Sequence, residues 1–201
     1  MSALLATLFV LSGAAALLYQ VAWQRVLFAI YGVNIESVAI IVTAFMVGLG
    51  VGAALGGVLS RRWPRARLAW FVIVEAALGA FGLASLPLFH VVGEATLHWS
   101  LPAVAAVTFV LVVLPTTLMG ATLPLVVAHA ISKNRNVGAS LGLYYAVNTA
   151  GSAIASILAA TVLLATLGLG HTVFVAAALN LVASACVAAL AIVERRQQGR
   201  A

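Results

Sequence analysis

Residues 48–67 read GLGVGAALGGVLSRRWPRAR, and the fold follows from this stretch. Its first half is an apolar helix with Gly48, Gly52 and Gly56 at every fourth position. Small residues four apart leave a groove on one helix face, where a second backbone can approach closely in lipid. Its second half carries Arg61, Arg62, Arg65 and Arg67. Arginines cross a bilayer at high cost and collect on the cytoplasmic side. One stretch therefore sets a packing seam and an orientation.

The composition around it is that of a membrane protein. The chain has 201 residues, 65% hydrophobic and 7% charged. Soluble domains carry about 25% charged residues. A soluble fold cannot hide this much apolar surface, so lipid must solvate most of it. A spanning helix needs about 20 apolar residues, so the length allows six spans with short loops and no soluble domain. The net charge of +6 does not point to nucleic acid. The basic residues sit at the ends of apolar runs, where orientation accounts for them. The single cysteine, Cys186, lies within the last apolar run and reads as small apolar filler. The N-terminal run MSALLATLFVLSGAAALL lacks the positive n-region of a signal peptide.

The predicted architecture is an all-α integral membrane domain of six spans covering 1–201. The spans run over about 4–30, 35–59, 68–89, 101–131, 137–167 and 172–193, with boundaries loose by several residues. His90, Glu94, His98 and Trp99 fall between spans three and four and should lie at an interface. Arg61, Arg62, Arg65, Arg67, Lys133, Arg135, Arg195, Arg196 and Arg200 would share one face, nine of the ten basic residues. The other face would have Arg25, with Glu36 and Glu94. The expectation is a bacterial inner-membrane protein with both termini cytoplasmic and an even number of spans.

Polar residues inside the spans are the candidates for function. In span five, Ser140, Tyr144, Asn148, Ser152 and Ser156 recur every four residues, and Tyr145 and Thr149 widen the stripe. Such a stripe must face other helices or water. It is either interhelical glue or the wall of a hydrophilic cavity. In span one, Gln20 and Gln24 are four apart, as are Tyr19 and Trp23. The favoured reading is an interfacial aromatic belt with a snorkelling Arg25, in contact with Glu36 across the turn. The sharper reading is a ligand-facing gate. Glu75 is the only acidic residue well inside an apolar span. It is either a functional carboxyl or a structural partner for the Arg61–Arg67 cluster or for backbone donors. Pro115 and Pro124 interrupt the backbone ladder of span four. Such breaks persist where neighbouring helices or water satisfy the freed carbonyls.

Enzyme motifs are missing from the sequence. It has no aspartate, and His90, His98, His129 and His171 are scattered singly, without metal-ligand spacing. GLGVGAALGG superficially matches a dinucleotide loop, but it lies in a membrane helix with no strand before it. Catalysis, a metal and a cofactor are not expected.

Two resemblances add to this reading. Residues 57–68, GVLSRRWPRARL, resemble the signature loop between helices two and three of major facilitator transporters. Gly57, Leu59, Arg61, Arg65 and Arg67 fit, and Ser60 stands where that signature carries Asp. The chain is long enough for one six-helix half of that fold. SGAAALLYQVAWQRVLFAIYG (12–32), MGATLPL (119–125) and GLYYAVNTAGS (142–152) resemble the membrane domain of bacterial spermidine-synthase-like fusion proteins. The synthase domain has no counterpart in this sequence. The resemblance implies a half-major-facilitator-like bundle, acting as a non-catalytic membrane subunit or a transporter of a small, polyamine-related solute. The partners to expect are the lipid bilayer and a second copy or other membrane subunits. An enzymatic role would require a separate synthase-like chain. The alternative is a structural accessory subunit of a larger respiratory or photosynthetic complex. A transporter needs a water-accessible cavity between spans one, four and five; a purely structural subunit needs none.

Overall fold

The computed structural model describes residues 2–33 and 35–198, with the side chains of 3–33 and 35–193. Arg200 and the side chains of Arg195 and Arg196 lie outside this description. Six α-helices follow one another: α1 (Ser2–Tyr31), α2 (Ile35–Arg62), α3 (Arg67–Thr96), α4 (Leu101–Asn134), α5 (Val137–Leu158) and α6 (Gly168–Gln198). A short 3-10 turn, Pro64–Ala66, joins α2 to α3. A π-helical segment, Ala159–Leu167, extends α5. No strand occurs among the described residues.

Among the described residues, five helical stretches are long and apolar enough to cross a membrane: Ala3–Tyr31, Ile35–Arg62, Pro64–Thr96, Leu101–Asn134 and Val137–Val193. The expected count of six is not matched. The expected fifth and sixth spans form one helical run of 57 residues. The physical reason is that no polar loop separates them. The join is made by the widened turns of 159–167 and by Gly168, at φ 72° and ψ 180°. That backbone conformation suits glycine.

Side-chain pairs give the direction of each helix. α1 and α3 run parallel, since Ser12 meets Glu75, Trp23 meets Ser85 and Tyr31 meets Thr96. α2 and α4 run parallel, with Gly48 against Thr116 and Gly56 against Ala121. α5 runs parallel to α1: Tyr144 packs on Phe9, and Ser152 bonds Gly13. α6 opposes α3, because Ser184 bonds the Val72 carbonyl while Gly79 faces Ala177. The run 137–193 therefore doubles back on itself.

The α2–α4 seam is where close approach decides the packing. Gly48, Gly52 and Gly56 are buried. A Cβ at Gly52 would overlap the Thr117 carbonyl and come within 2.9 Å of the Gly120 Cα. Gly120 in turn sits against the backbone of Leu49. The two helices thus touch backbone to backbone, as small residues permit in lipid. α4 stays helical through Pro115 and Pro124.

Several boundaries differ from expectation. α3 continues to Thr96, past the expected end near residue 89, and so takes in His90 and Glu94. The extra turns are tied down by Thr96, whose Oγ1 bonds the Val92 carbonyl at 2.8 Å and meets Tyr31. The α4–α5 junction is tight. Arg135 adopts a left-handed conformation at φ 55°, and the Asn136 side chain caps α5 by accepting from the Ala139 amide at 2.9 Å. At the α2–α3 junction, Arg67 donates to the carbonyls of Ser60 and Ala128, both at 2.9 Å. This staples the turn to the end of α4. Both basic junctions, and the start of α1 near Leu5, thus gather at one end of the bundle.

Candidate functional site: a cavity at the centre of the bundle

All six helices converge on a cavity of about 270 Å³. Its apolar wall includes Ala16 of α1, Leu49 and Ala53 of α2, Leu78 of α3 and Met119 of α4. Its polar wall is formed by Ser12 (α1), Thr122 (α4), Tyr145 and Asn148 (α5) and Asn180 (α6). No lysine, arginine or histidine lines it.

Glu75 stands directly behind this wall. It is completely buried, about 12 Å along the axis from Arg67 at 1.5 Å per residue. The Ser12 hydroxyl donates to its Oε1 at 2.5 Å. Its Oε2 has no hydrogen-bond partner. The expectation of a structural partnership with the arginine cluster is corrected. Arg67 turns to the Ser60 and Ala128 carbonyls, and Arg61, Arg62 and Arg65 are exposed. Asn180, 2% exposed, likewise has an unpartnered Oδ1.

The polar stripe of α5 divides. Asn148 lines the cavity beside Gly13, where a Cβ would clash with its Oδ1 and carbonyl. Ser152 donates to the Gly13 carbonyl at 2.9 Å and acts as glue between α5 and α1. Thr149 and Ser156 face outward. Tyr145 lines the cavity while 61% exposed, so the cavity opens on that side. Tyr144 is buried, edge-on to Phe9 at 6.0 Å. It borders a smaller space of about 100 Å³ toward the basic end, with Leu5, Ser140 and Lys133. Cavity and glue are therefore shared among neighbouring residues of one stripe.

The stripe of α1 departs further from expectation. Tyr19 and Trp23 are fully buried and form no interfacial belt. Their rings stack at 4.7 Å. The Trp23 Nε1–H donates to Ser85 Oγ at 2.9 Å, and the Tyr19 hydroxyl to the Leu78 carbonyl at 3.3 Å. The missing side chain of Gly82 makes room for the Tyr19 hydroxyl. Polar tips satisfied on α3 let both rings sit in the core. Gln20 and Gln24 are half-buried and lie outside the cavity lining. Arg25 and Glu36 are both exposed and form no ion pair.

Sequence reasoning missed Ser12 and Asn180. Asn180 had a signal, as the one amide in the apolar run AAALNLVASA. Ser12 had none, since serine is common in membrane helices and its partner lies 63 residues away. Among the described residues, no cluster of three His, Cys, Asp or Glu side chains forms that would hold a metal ion. No family model, curated protein or solved structure matches the chain.

Proposed function

We propose that the chain is a non-catalytic six-span membrane protein that moves a small solute through the central cavity as a homodimer. The run 137–193 acts as two spans that reverse at Gly168. The bundle is then one half of a major-facilitator-like architecture, in keeping with the spermidine-synthase-like membrane domains that the sequence resembles. It lies in a bacterial inner membrane with both termini cytoplasmic, a reading supported by the gathering of Arg61, Arg62, Arg65, Arg67, Lys133 and Arg135 at one end.

The observation that carries the transport reading is the cavity, lined by Ser12, Thr122, Tyr145, Asn148 and Asn180. A subunit with only a packing role has no use for unpartnered buried oxygens, which cost free energy. The half-open side at Tyr145, with Thr149 beside it, supports a second copy. Polar side chains at that depth turn to protein or water rather than lipid. Alternating access also requires two repeats that rock about a shared site. The same outward α5 face would seat another membrane subunit in the accessory-subunit reading.

Solvent access tests the cavity. Asn148→Cys, in a Cys186→Ala background, is treated in native membranes with a charged, membrane-impermeant thiol reagent. The expected result is labelling at a rate well above that of Ala155→Cys, a buried position on the same helix. Equal protection of both positions, with Arg62→Cys labelled as an exposed control, would overturn the transport reading.

A further inference from the structure

We infer that Glu75, Ser12 and Asn180 form a proton-binding site that gives up its proton when a small N–H-bearing cation enters the cavity. This inference rests on the transport reading above and names the chemistry of the same cavity.

Three placements support it. Glu75 is wholly buried, with one oxygen bonded to Ser12 and the other bonded to nothing. Ser12 both donates to Glu75 and lines the cavity, so it is the physical link between them. Asn180 lines the same cavity with an unpartnered acceptor. An ionised carboxylate buried without a counter-charge is strongly disfavoured and takes up a proton instead. The resting site therefore holds a proton on the Glu75 carboxyl.

No other group takes that role. Of the helices packed on α3, α1 brings Tyr19, whose hydroxyl is committed to the Leu78 carbonyl. Arg25 and Tyr31 lie further along α1, and Tyr31 is bonded to Thr96. α4 contributes His129 and Lys133 near its basic end, the latter bordering the smaller space beside Tyr144. α6 contributes His171, bonded to the Leu167 carbonyl, and the exposed Cys186. None of these is hydrogen-bonded to Glu75.

The ligand class follows from what the cavity leaves unsatisfied. The orphaned group in the lining, Asn180 Oδ1, is an acceptor, and the lining has no fixed cation. Calcium sites draw on several carboxylates among their six to eight oxygens, and Glu75 is the one carboxylate beside this cavity. An N–H donor needs one acceptor per hydrogen. A cation bonded to Asn180 Oδ1 and to a Ser12 lone pair places positive charge beside Glu75 and stabilises its ionised form. The Glu75 O–H bond then breaks, and the proton leaves to solvent. One positive charge enters and one departs, so the exchange is electroneutral at the site.

The test uses the full chain in lipid nanodiscs. Infrared difference spectra between acid and alkaline buffer should contain the carbonyl stretch of a protonated, buried carboxyl. That band should vanish in Glu75→Gln, which keeps the acceptor for Ser12, and shift in frequency in Ser12→Ala. Methylammonium chloride added to the weakly buffered wild-type protein should release protons, approaching one per chain, and bleach the band. Glu75→Gln should release none. Absence of the band, or its persistence with methylammonium present, would overturn the site. Equal proton release by sodium chloride would overturn the N–H-cation assignment. Failure here with Asn148→Cys still labelled removes this inference alone; loss of that labelling removes the transport reading itself.

Discussion

Gly52→Leu should separate α2 from α4, and the cost can be worked from the seam. A Cβ at Gly52 meets the Thr117 carbonyl and the Gly120 Cα at 2.9 Å, against an ordinary contact of 3.4–4 Å. Both neighbours are backbone, so no rotamer change relieves the clash. The helices must part by roughly 0.5–1 Å, a gap that forfeits a quarter to a half of each dispersion contact along it. α2 is vulnerable because its buried residues, Ile41, Ala44, Phe45, Gly48, Gly52, Gly56 and Ser60, form one narrow stripe. Overpacking typically costs about 1–3 kcal/mol, and a branched side chain against two backbones belongs at the upper end. For a chain of this length, 1 kcal/mol shifts Tm by about 2–4 °C. Thermal unfolding in mild detergent should therefore fall by roughly 6–12 °C. Gly50→Leu is the matched control, with nothing within 4 Å of its would-be Cβ. It should leave Tm nearly unchanged or slightly raised, because leucine is the better helix former. An equal loss in both variants, or none in Gly52→Leu, would refute the close-approach argument.

Three further outcomes follow from the same geometry. Trp23→Ala should destabilise by about 3–5 kcal/mol, as for a buried aromatic, while Arg25→Ala, two residues on and exposed, should stay within about 0.5 kcal/mol; thermal unfolding of the pair checks this. Arg67→Ala should loosen the α2–α3 turn from α4, costing about 1.5–3 kcal/mol for its charged hydrogen bonds, and speed proteolysis near Trp63, whereas Arg61→Ala should not. Arg62→Cys should react with an impermeant thiol reagent only from the cytoplasmic side and Val33→Cys only from the opposite side; the reverse pattern would overturn the orientation.

Much of the architecture was legible because lipid makes the rules strict. The Gly48–Gly52–Gly56 spacing already marked a seam, and the structure sets it against α4. The arginine clusters marked helix ends by their charge alone. The α5–α6 join was less legible, because it contains no loop for composition to reveal: widened helical turns and Gly168 replace one. The burial of the aromatic pair Tyr19–Trp23 is not legible in the sequence for a related reason. Spacing places both on one face of a helix, but burial depends on Leu78, Gly82 and Ser85 of another helix. The site divides in the same way. Asn148 and Glu75 stood out as polar groups in apolar runs. The Ser12–Glu75 bond and the common cavity with Asn180 are tertiary, and no periodicity within one helix encodes them.

The proposed homodimer would enclose one solute path between the cavities of its two copies. Native mass spectrometry of the protein released from lipid nanodiscs measures the copy number. The expected species is a complex of twice the 20.6 kDa chain mass, retained in Asn148→Leu, which alters the cavity wall, and lost when Thr149→Arg places a charge on the outward face of α5. A monodisperse species of 20.6 kDa whose position 148 remains water-accessible would contradict it.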